Sequence, residues 1–497
     1  MSVQKTVQRH VAPAQPDIYL TSSDLVVRQF WVAGAAGFAY ELDPARLLTA
    51  MQTIVDHHYP ILTCRVRQDD AGRFFLDSSN AGFTIGTCNK PESQLRDVLR
   101  AFARPSAPEL EPLNACAEDY LEQLNPVEVL AGRCPLFGLR LTQVKDGSVL
   151  GLSFSHMLAD AESMGQLLYD ISQAYQGLPV MPRPSRRLGM ELLGMKAAGA
   201  YGARDPSDEE IIGHLPTFGT PPRALADITA TKVYDLWGTL ETERQEGVTH
   251  SHHVVHLPEA GLSRLKAEIV QSNIANDTSI KRLSAHDIIA ALMWLAREVA
   301  EGNDLSSGLK RPFGYAVDLR RLGGAAGSPI HKDFWGNSVS ATAVMQPTIP
   351  ATSSPPSTEH IKNVLAAAAC AIHIATQTIK ADPNFIPSVL ALNQAATDIN
   401  FWKEIMDTPD HPFSAFRDAA ALTSSWRSGT MDRTDFGQGT PWLLIGKVAP
   451  ITQLSAIVTI GPGADGVMCT AGFKNDCFER LQSSNFFKTI APEVVVV

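Results

Sequence analysis

The chain has 497 residues, 44% hydrophobic and 19% charged, with a formal net charge of −10. That length supplies material for a large core and two domains, and the composition is that of a globular chain rather than a disordered one. The acidic balance, with no concentrated Lys/Arg stripe, argues against a nucleic-acid partner.

No apolar run in the sequence reads as long enough to span a bilayer, and Met1–His10 lacks the apolar core of a secretory signal. The seven cysteines, at 64, 88, 116, 134, 370, 469 and 477, form no CxxC pair. The expectation is reduced thiols, no structural zinc and a cytoplasmic protein.

In chain order, Leu47, Leu48, Met51, Ile54 and Val55 repeat at helical spacing, and Pro60–Val66 reads as a turn into a strand. His57 and His58 fall at that helix end, where imidazoles suit the terminal carbonyls and no thiol or carboxylate completes a metal set. Leu136–Leu141 and Ser148–Ser155 form two strands joined across Lys145-Asp146-Gly147, a hairpin signal.

The second of these strands delivers His156. From Ala161 the period changes: Ala161, Met164, Leu167, Leu168, Ile171 and Tyr175 mark a helix that Asp160 can cap. His156 therefore stands on a strand-to-helix corner, in the pattern His-x-x-x-Asp. In a chain with 14 histidines about one such match arises by chance. A core histidine beside a capping aspartate is the plain alternative.

Residues 181–250 read as a partly helical connection between two halves, 1–180 and 251–497, because a structureless loop of that length is unusual. His252, His253 and His256 alternate along a strand and so point to different faces, which disfavours a metal site. Leu262, Leu265 and Ile269 make a short helix. Ser284 and Asp287 then form a capping box for a longer one carrying Ile288, Leu292, Leu295 and Val299. A strand at Phe313–Asp318 is followed by Arg320 and Arg321. Asp333-Phe334-Trp335-Gly336-Asn337 leads into a strand at Ser338–Val344, and an Ala-rich helix follows at about 361–380. Leu422–Trp426, Asp435–Gly439 and two final strands, 456–460 and 466–471, complete the chain.

Separately weak motifs thus stand in one order: His156-x-x-x-Asp160, Ser284 at a helix start, Val317-Asp318-Leu319-Arg320, Phe334-Trp335-Gly336-Asn337, Ser424-Ser425-Trp426 and Asp435-Phe436-Gly437-Gln438-Gly439. The series resembles the BAHD acyltransferases of the chloramphenicol-acetyltransferase-like superfamily. HxxxD and DFGxG lie about 280 residues apart, each with its flanks, a far more specific signal than either motif alone.

The resemblance implies an α/β fold with mixed sheets, in two similar-sized domains joined by a long crossover. A channel would run between them, and part of 415–440 would pack with the first domain. His156 would be the general base, with no acyl-enzyme. The Trp426 indole and Ser424 hydroxyl would stabilise the oxyanion. Asp160 would pair with Arg320 (or Arg321) rather than act in the chemistry, while Asp435 and Gly437 would hold a structural turn. Ser284, Asp318, Arg320 and Ser425 would line the channel for acyl-CoA, the co-substrate. The acceptor would be a small alcohol or amine, the protein a monomer, and no permanent cofactor would be needed. Cys64 and Cys134 match no role.

Gln438 stands where the family has Trp in DFGWG, Ala161 replaces the Gly after HxxxD, Leu319 occupies the Gly of VDGR, and Leu322 the place of a second Arg. These departures point to a microbial or fungal branch of specialised metabolism. One alternative is a condensation-type enzyme with a carrier-bound donor, disfavoured by Ser155 and Ala161 in place of the usual His and Gly. Another is a catalytically silent binding protein on the same scaffold.

Overall fold

A computed structural model describes the chain apart from residues 1–2, 9–17, 21–23, 25–30, 71, 78–81, 99–119, 123, 184–244, 249, 273–279, 281, 323–329, 345, 387–388, 390–421, 426–432, 450–453, 460–465 and 497. Two mixed sheets dominate it. In the first, the strand order is β1 (Val3–Val7), β6 (Phe83–Lys90), β7 (Phe137–Val144), β8 (Gly147–Ser155), β3 (Trp31–Phe38) and β13 (Leu443–Ala449). The second runs β11 (Val339–Val344), β10 (Phe313–Asp318), β12 (Leu422–Ser425), β14 (Leu454–Thr459), β15 (Val467–Lys474), β9 (His250–Leu257) and β16 (Val495–Val496). A small third sheet joins β2 (Ile18–Tyr19), β5 (Phe74–Asp77) and β4 (Arg65–Gln68).

Strand β8 is buried along its whole length, which suits a central strand with both faces covered. It pairs antiparallel with β7 across the two-residue turn Lys145-Asp146, as Val144 faces Gly147. Glycine at 147 has a steric reason: a Cβ there would lie 1.9 Å from the Phe38 carbonyl oxygen. On the other side β8 pairs with β3, so Trp31 lies opposite Ser155. The β3 sequence, Trp-Val-Ala-Gly-Ala-Ala-Gly-Phe, is dominated by small residues and has no clear alternation. Neighbouring strands, rather than its own propensity, make it a strand.

Helix Ala161–Gln176 follows the corner. Asp160 caps its start by accepting from the Ser163 amide at 2.9 Å, and Gly177, at φ 73°, closes its end in the left-handed region. Its face of Met164, Leu167, Leu168, Ile171 and Tyr175 is buried with helix Pro44–His57 in the first core. His57 occupies the last turn of that helix and His58 its C-cap.

In the second half, helix Ala285–Ala300 opens with the full Ser284/Asp287 capping box. It packs beside helix Thr358–Ala381 over the second sheet. This last helix corrects the hydropathy reading: with 24 residues and a mean hydropathy of 1.4 it is long and apolar enough to cross a membrane by length and composition. Here Val364, Leu365, Ala368, Ala369, Ile372 and Ile379 are instead buried in the second core.

The halves exchange material. Of the 415–440 stretch, residues 422–425 and 433–440 are described; the former are β12 of the second sheet, while Phe436 sits in the first core against Phe38 and Tyr175, with ring centroids 5.1 and 5.2 Å away. The exchange extends to Ala449, because β13 pairs with β3 from Leu443↔Gly37 to Ala449↔Trp31. Trp335, also from the second half, is buried in the first core as well. Most of the 181–250 connection lies outside the described residues.

Removing the Phe436 ring is expected to destabilise the protein by about 3–5 kcal/mol, the usual cost of Phe→Ala in a packed core. Denaturant unfolding of Phe436→Ala measures it; a loss below about 1 kcal/mol would contradict this packing.

Candidate active site

His156 is the first residue after β8, on a corner where Ser155, Met157, Leu158 and Ala159 are all buried. His156 itself is intermediate in exposure between these buried neighbours. Four residues on, Asp160 is 1% exposed and turned into the protein. Both its oxygens accept from Arg320 Nη2 at 3.0 Å. Oδ1 also accepts from the Ser163 amide, and Oδ2 from the Ser338 amide at 2.9 Å. A buried carboxylate this fully satisfied orders a corner; it is not aimed at a substrate.

Arg320 is likewise committed to protein groups. Nε donates to the Phe334 carbonyl at 2.9 Å, Nη1 to Asp318 Oδ1 at 2.9 Å, and Nη2 also reaches Ser163 Oγ and the Gly336 carbonyl, each at 3.0 Å. Its side chain is 1% exposed. Burial alone would lower its pKa, but Asp160 and Asp318 outweigh that and raise it, so the cation persists. Every guanidinium nitrogen being engaged, Arg320 has a structural place and no free face for the co-substrate contact the resemblance assigned it.

The partners of Arg320 reveal a hub that sequence reasoning left without a role, the segment Phe334–Ser338. Gly336 donates its amide to Ser163 Oγ at 3.0 Å, and the Trp335 indole donates to the Ser163 carbonyl at 2.9 Å. Asn337 Nδ2 donates to the His156 carbonyl at 2.7 Å and to Asp24 Oδ1 at 3.0 Å. With both its N–H groups used, Asn337 presents Oδ1 to His156 Nδ1 at 3.2 Å. An oxygen can only accept, so Nδ1 carries the proton and Nε2 keeps its lone pair. The signal in the sequence was FWGN itself, but only three dimensions bring it to His156.

Burial pushes the His156 imidazole below its ordinary value; its own carbonyl, Asp160, Asn337 and Asp24 draw it back in part. The ring is therefore neutral at pH 7, the form a general base requires. Cys134 offers no nucleophile, since burial pushes its thiol up.

The remaining candidates fall as follows. Ser284 Oγ accepts from the Asp287 amide at 3.1 Å as a helix cap, while the residue itself is exposed. Asp318 ends β10 and bridges Arg320 and Arg321. Ser424 and Ser425 lie on β12 in the middle of the second sheet, opposite Ala456 and Ile457. Trp426 lies outside the described residues. Asp435 Oδ1 accepts from the amides of Gly437 and Gly439 at 2.6 and 2.9 Å, and its carbonyl accepts from Gln176 Nε2 at 2.6 Å. Gly437 and Gly439 have φ of 103° and 121°, which only glycine adopts readily. This turn is anchored to the first half. Among the described residues no group of three or more His, Cys, Asp or Glu side chains is placed to hold a metal ion.

Comparison with known proteins adds a frame. A model of the Transferase family matches residues 38–474. An uncharacterised acetyltransferase of Arabidopsis thaliana is 21% identical over 319 residues, covering 60% of this chain and 59% of its own length. The match thus spans less than two thirds of that relative. Among solved structures, F. sporotrichioides TRI101 complexed with coenzyme A and T-2 has a TM-score of 0.60 at 14% identity, covering 94% of this chain and 97% of that one. Vinorine synthase has a TM-score of 0.58 at 14% identity, with 97% of each chain covered. At such identities these structures establish a shared fold.

Arg320→Ala leaves Asp160 buried without its countercharge and is expected to cost about 3–5 kcal/mol of stability. Thermal or denaturant unfolding reads this directly; a change within about 0.5 kcal/mol would show that the pair does not carry the seam.

Proposed function

Since the chain belongs to the Transferase family and shares the fold of the BAHD acyltransferases TRI101 and vinorine synthase, we propose that it transfers an acyl group from acyl-CoA to a small-molecule alcohol or amine. The observation that carries this reading is His156 on its strand-to-helix corner, with Nδ1 3.2 Å from Asn337 Oδ1 and burial pushing the imidazole below its ordinary value. Support for the donor comes from the coenzyme A that TRI101 carries.

An alcohol is a poor nucleophile near neutrality. His156 Nε2 takes its proton as the oxygen attacks the thioester carbonyl, then returns that proton to the departing CoA thiolate. Asn337 makes this work by accepting from Nδ1–H in the ground state and stabilising the imidazolium that forms; Asp24 fixes Asn337 in turn. The tetrahedral oxyanion needs donors, and by family likeness these are the Ser424 hydroxyl and the Trp426 indole. Ser284, Asp318 and Ser425 are proposed to line the donor side. The reaction needs no acyl-enzyme, and a monomer in the cytoplasm, serving specialised metabolism, is the working picture.

Release of free thiol from a panel of acyl-CoAs against pooled alcohols and amines tests the reading. His156→Ala should lower kcat by about 10²–10⁴. The depressed imidazole places the acid limb of kcat/KM below the ordinary histidine value of 6.5, so activity is complete at pH 7 and lost as pH falls through the lower value. Equal thiol release by wild type and mutant would contradict the role of His156, and an acid limb above 6.5 would contradict its environment.

A further inference from the structure

Arg297 lies in the last turn of helix Ala285–Ala300, roughly three turns from the Ser284 cap. It is 3% exposed, and its guanidinium carbon stands 3.9 Å from the centre of the Phe473 ring on β15. That stacking fixes the guanidinium plane and leaves its edges to hydrogen bonds. Nε and Nη2, the two nitrogens of one edge, are buried and have no partner among the described residues. The helix terminus favours a cation, yet no terminal carbonyl accepts from either nitrogen. Arg311 carries a third such nitrogen, Nη2.

Other arginines of this chain put the same edge to use. Arg183 offers Nε and Nη2 to Asp170 at 2.5 and 2.8 Å, and Arg133 offers them to Glu128 at 2.5 and 2.7 Å. Arg264 offers them to Glu493, each at 2.7 Å. In every case an anion faces the fork, the geometry that makes a bidentate pair strong. No carboxylate of the protein takes that place at Arg297, because Glu298 and Glu301 are drawn to Arg311 at 3.4 and 3.9 Å. Burial pushes the Arg297 guanidinium down to about 10; Glu301 opposes the fall and the like charge of Arg311 adds to it. It is still a cation at pH 7, enclosed and short of countercharge.

We propose that the Nε–Nη2 edge of Arg297 is a binding site for a small inorganic anion, chloride, inside the second core. A water molecule can accept from both nitrogens, but only an anion also supplies the countercharge. Enclosure excludes an organic acid or a phosphate ester. The ion would secure helix Ala285–Ala300 where it packs on helix Asn475–Ser483 and β15. This site does not depend on the acyl-CoA reading.

Thermal unfolding of the full chain in sodium chloride and in sodium gluconate, at equal ionic strength, tests the assignment, since gluconate is too large for the enclosed edge. Wild type should unfold higher in chloride, gaining about 3–5 °C for each tenfold rise above the dissociation constant. Arg297→Met keeps the side-chain length without the charge and should lose this gain. Crystals soaked in bromide should show an anomalous peak within hydrogen-bond reach of Nε and Nη2. Equal chloride dependence in wild type and Arg297→Met would overturn the proposal, as would a water or the Glu301 carboxylate found at that edge. A bromide peak without chloride dependence of the wild type marks an ion bound at crystal concentration only and overturns it too. The wild-type unfolding and bromide measurements decide the matter even where the variant does not fold.

Discussion

The structure depends on one buried ion pair. Asp160 and Arg320 come from opposite halves, each 1% exposed in its side chain, and each satisfied by further hydrogen bonds. Such a pair gives little net stability against a well-packed apolar alternative, yet breaking it by removing one partner is costly. Its value is positional. Arg320 and Ser163 together grip the segment Phe334–Ser338, and that segment places Asn337 against His156. A carboxylate four residues from His156 thus governs its setting without touching the imidazole.

This arrangement explains why the His156 corner is rigid. Strand β8 and helix Ala161–Gln176 fix the backbone on one side; the 334–338 segment closes it on the other. The Trp335 ring, packed at 5.0 Å from Tyr59, anchors that segment in the first core, and Tyr59 is itself held by Asp170, which Arg183 grips through two nitrogens. The exchange of β13 and the Asp435–Gly439 turn ties the halves at separate places. Domain contact is therefore spread over several unlike interactions rather than resting on a single apolar face.

Much of this was legible in the sequence. The β7–β8 hairpin, the capped helix after His156 and the Ser284 capping box follow from local rules of period, turn and cap, which depend on neighbours in the chain. The pairing of Asp160 with Arg320 came from motif order, because no local rule links residues 160 apart. Strand β3 was illegible for a physical reason: Trp-Val-Ala-Gly-Ala-Ala-Gly-Phe has little strand propensity, and pairing with β8 and β13 creates the strand. The Ala-rich helix Thr358–Ala381 was placed in the sequence, but its capacity by length and composition to cross a membrane went unrecognised because polar residues such as His373, Thr376 and Gln377 interrupt the apolar run. The tasks of Asn337 and Asp24 were hidden because each lies far along the chain from His156 and only the folded seam unites them.

The central claim is that His156 is a neutral imidazole whose Nδ1 is protonated toward Asn337. Nitrogen-15 NMR of histidine-labelled protein at pH 7, with the His156 signal assigned by its loss in His156→Ala, measures this directly. The account predicts a protonated Nδ1 and an unprotonated Nε2. A signal with Nε2 protonated, or an imidazolium at pH 7, would contradict it.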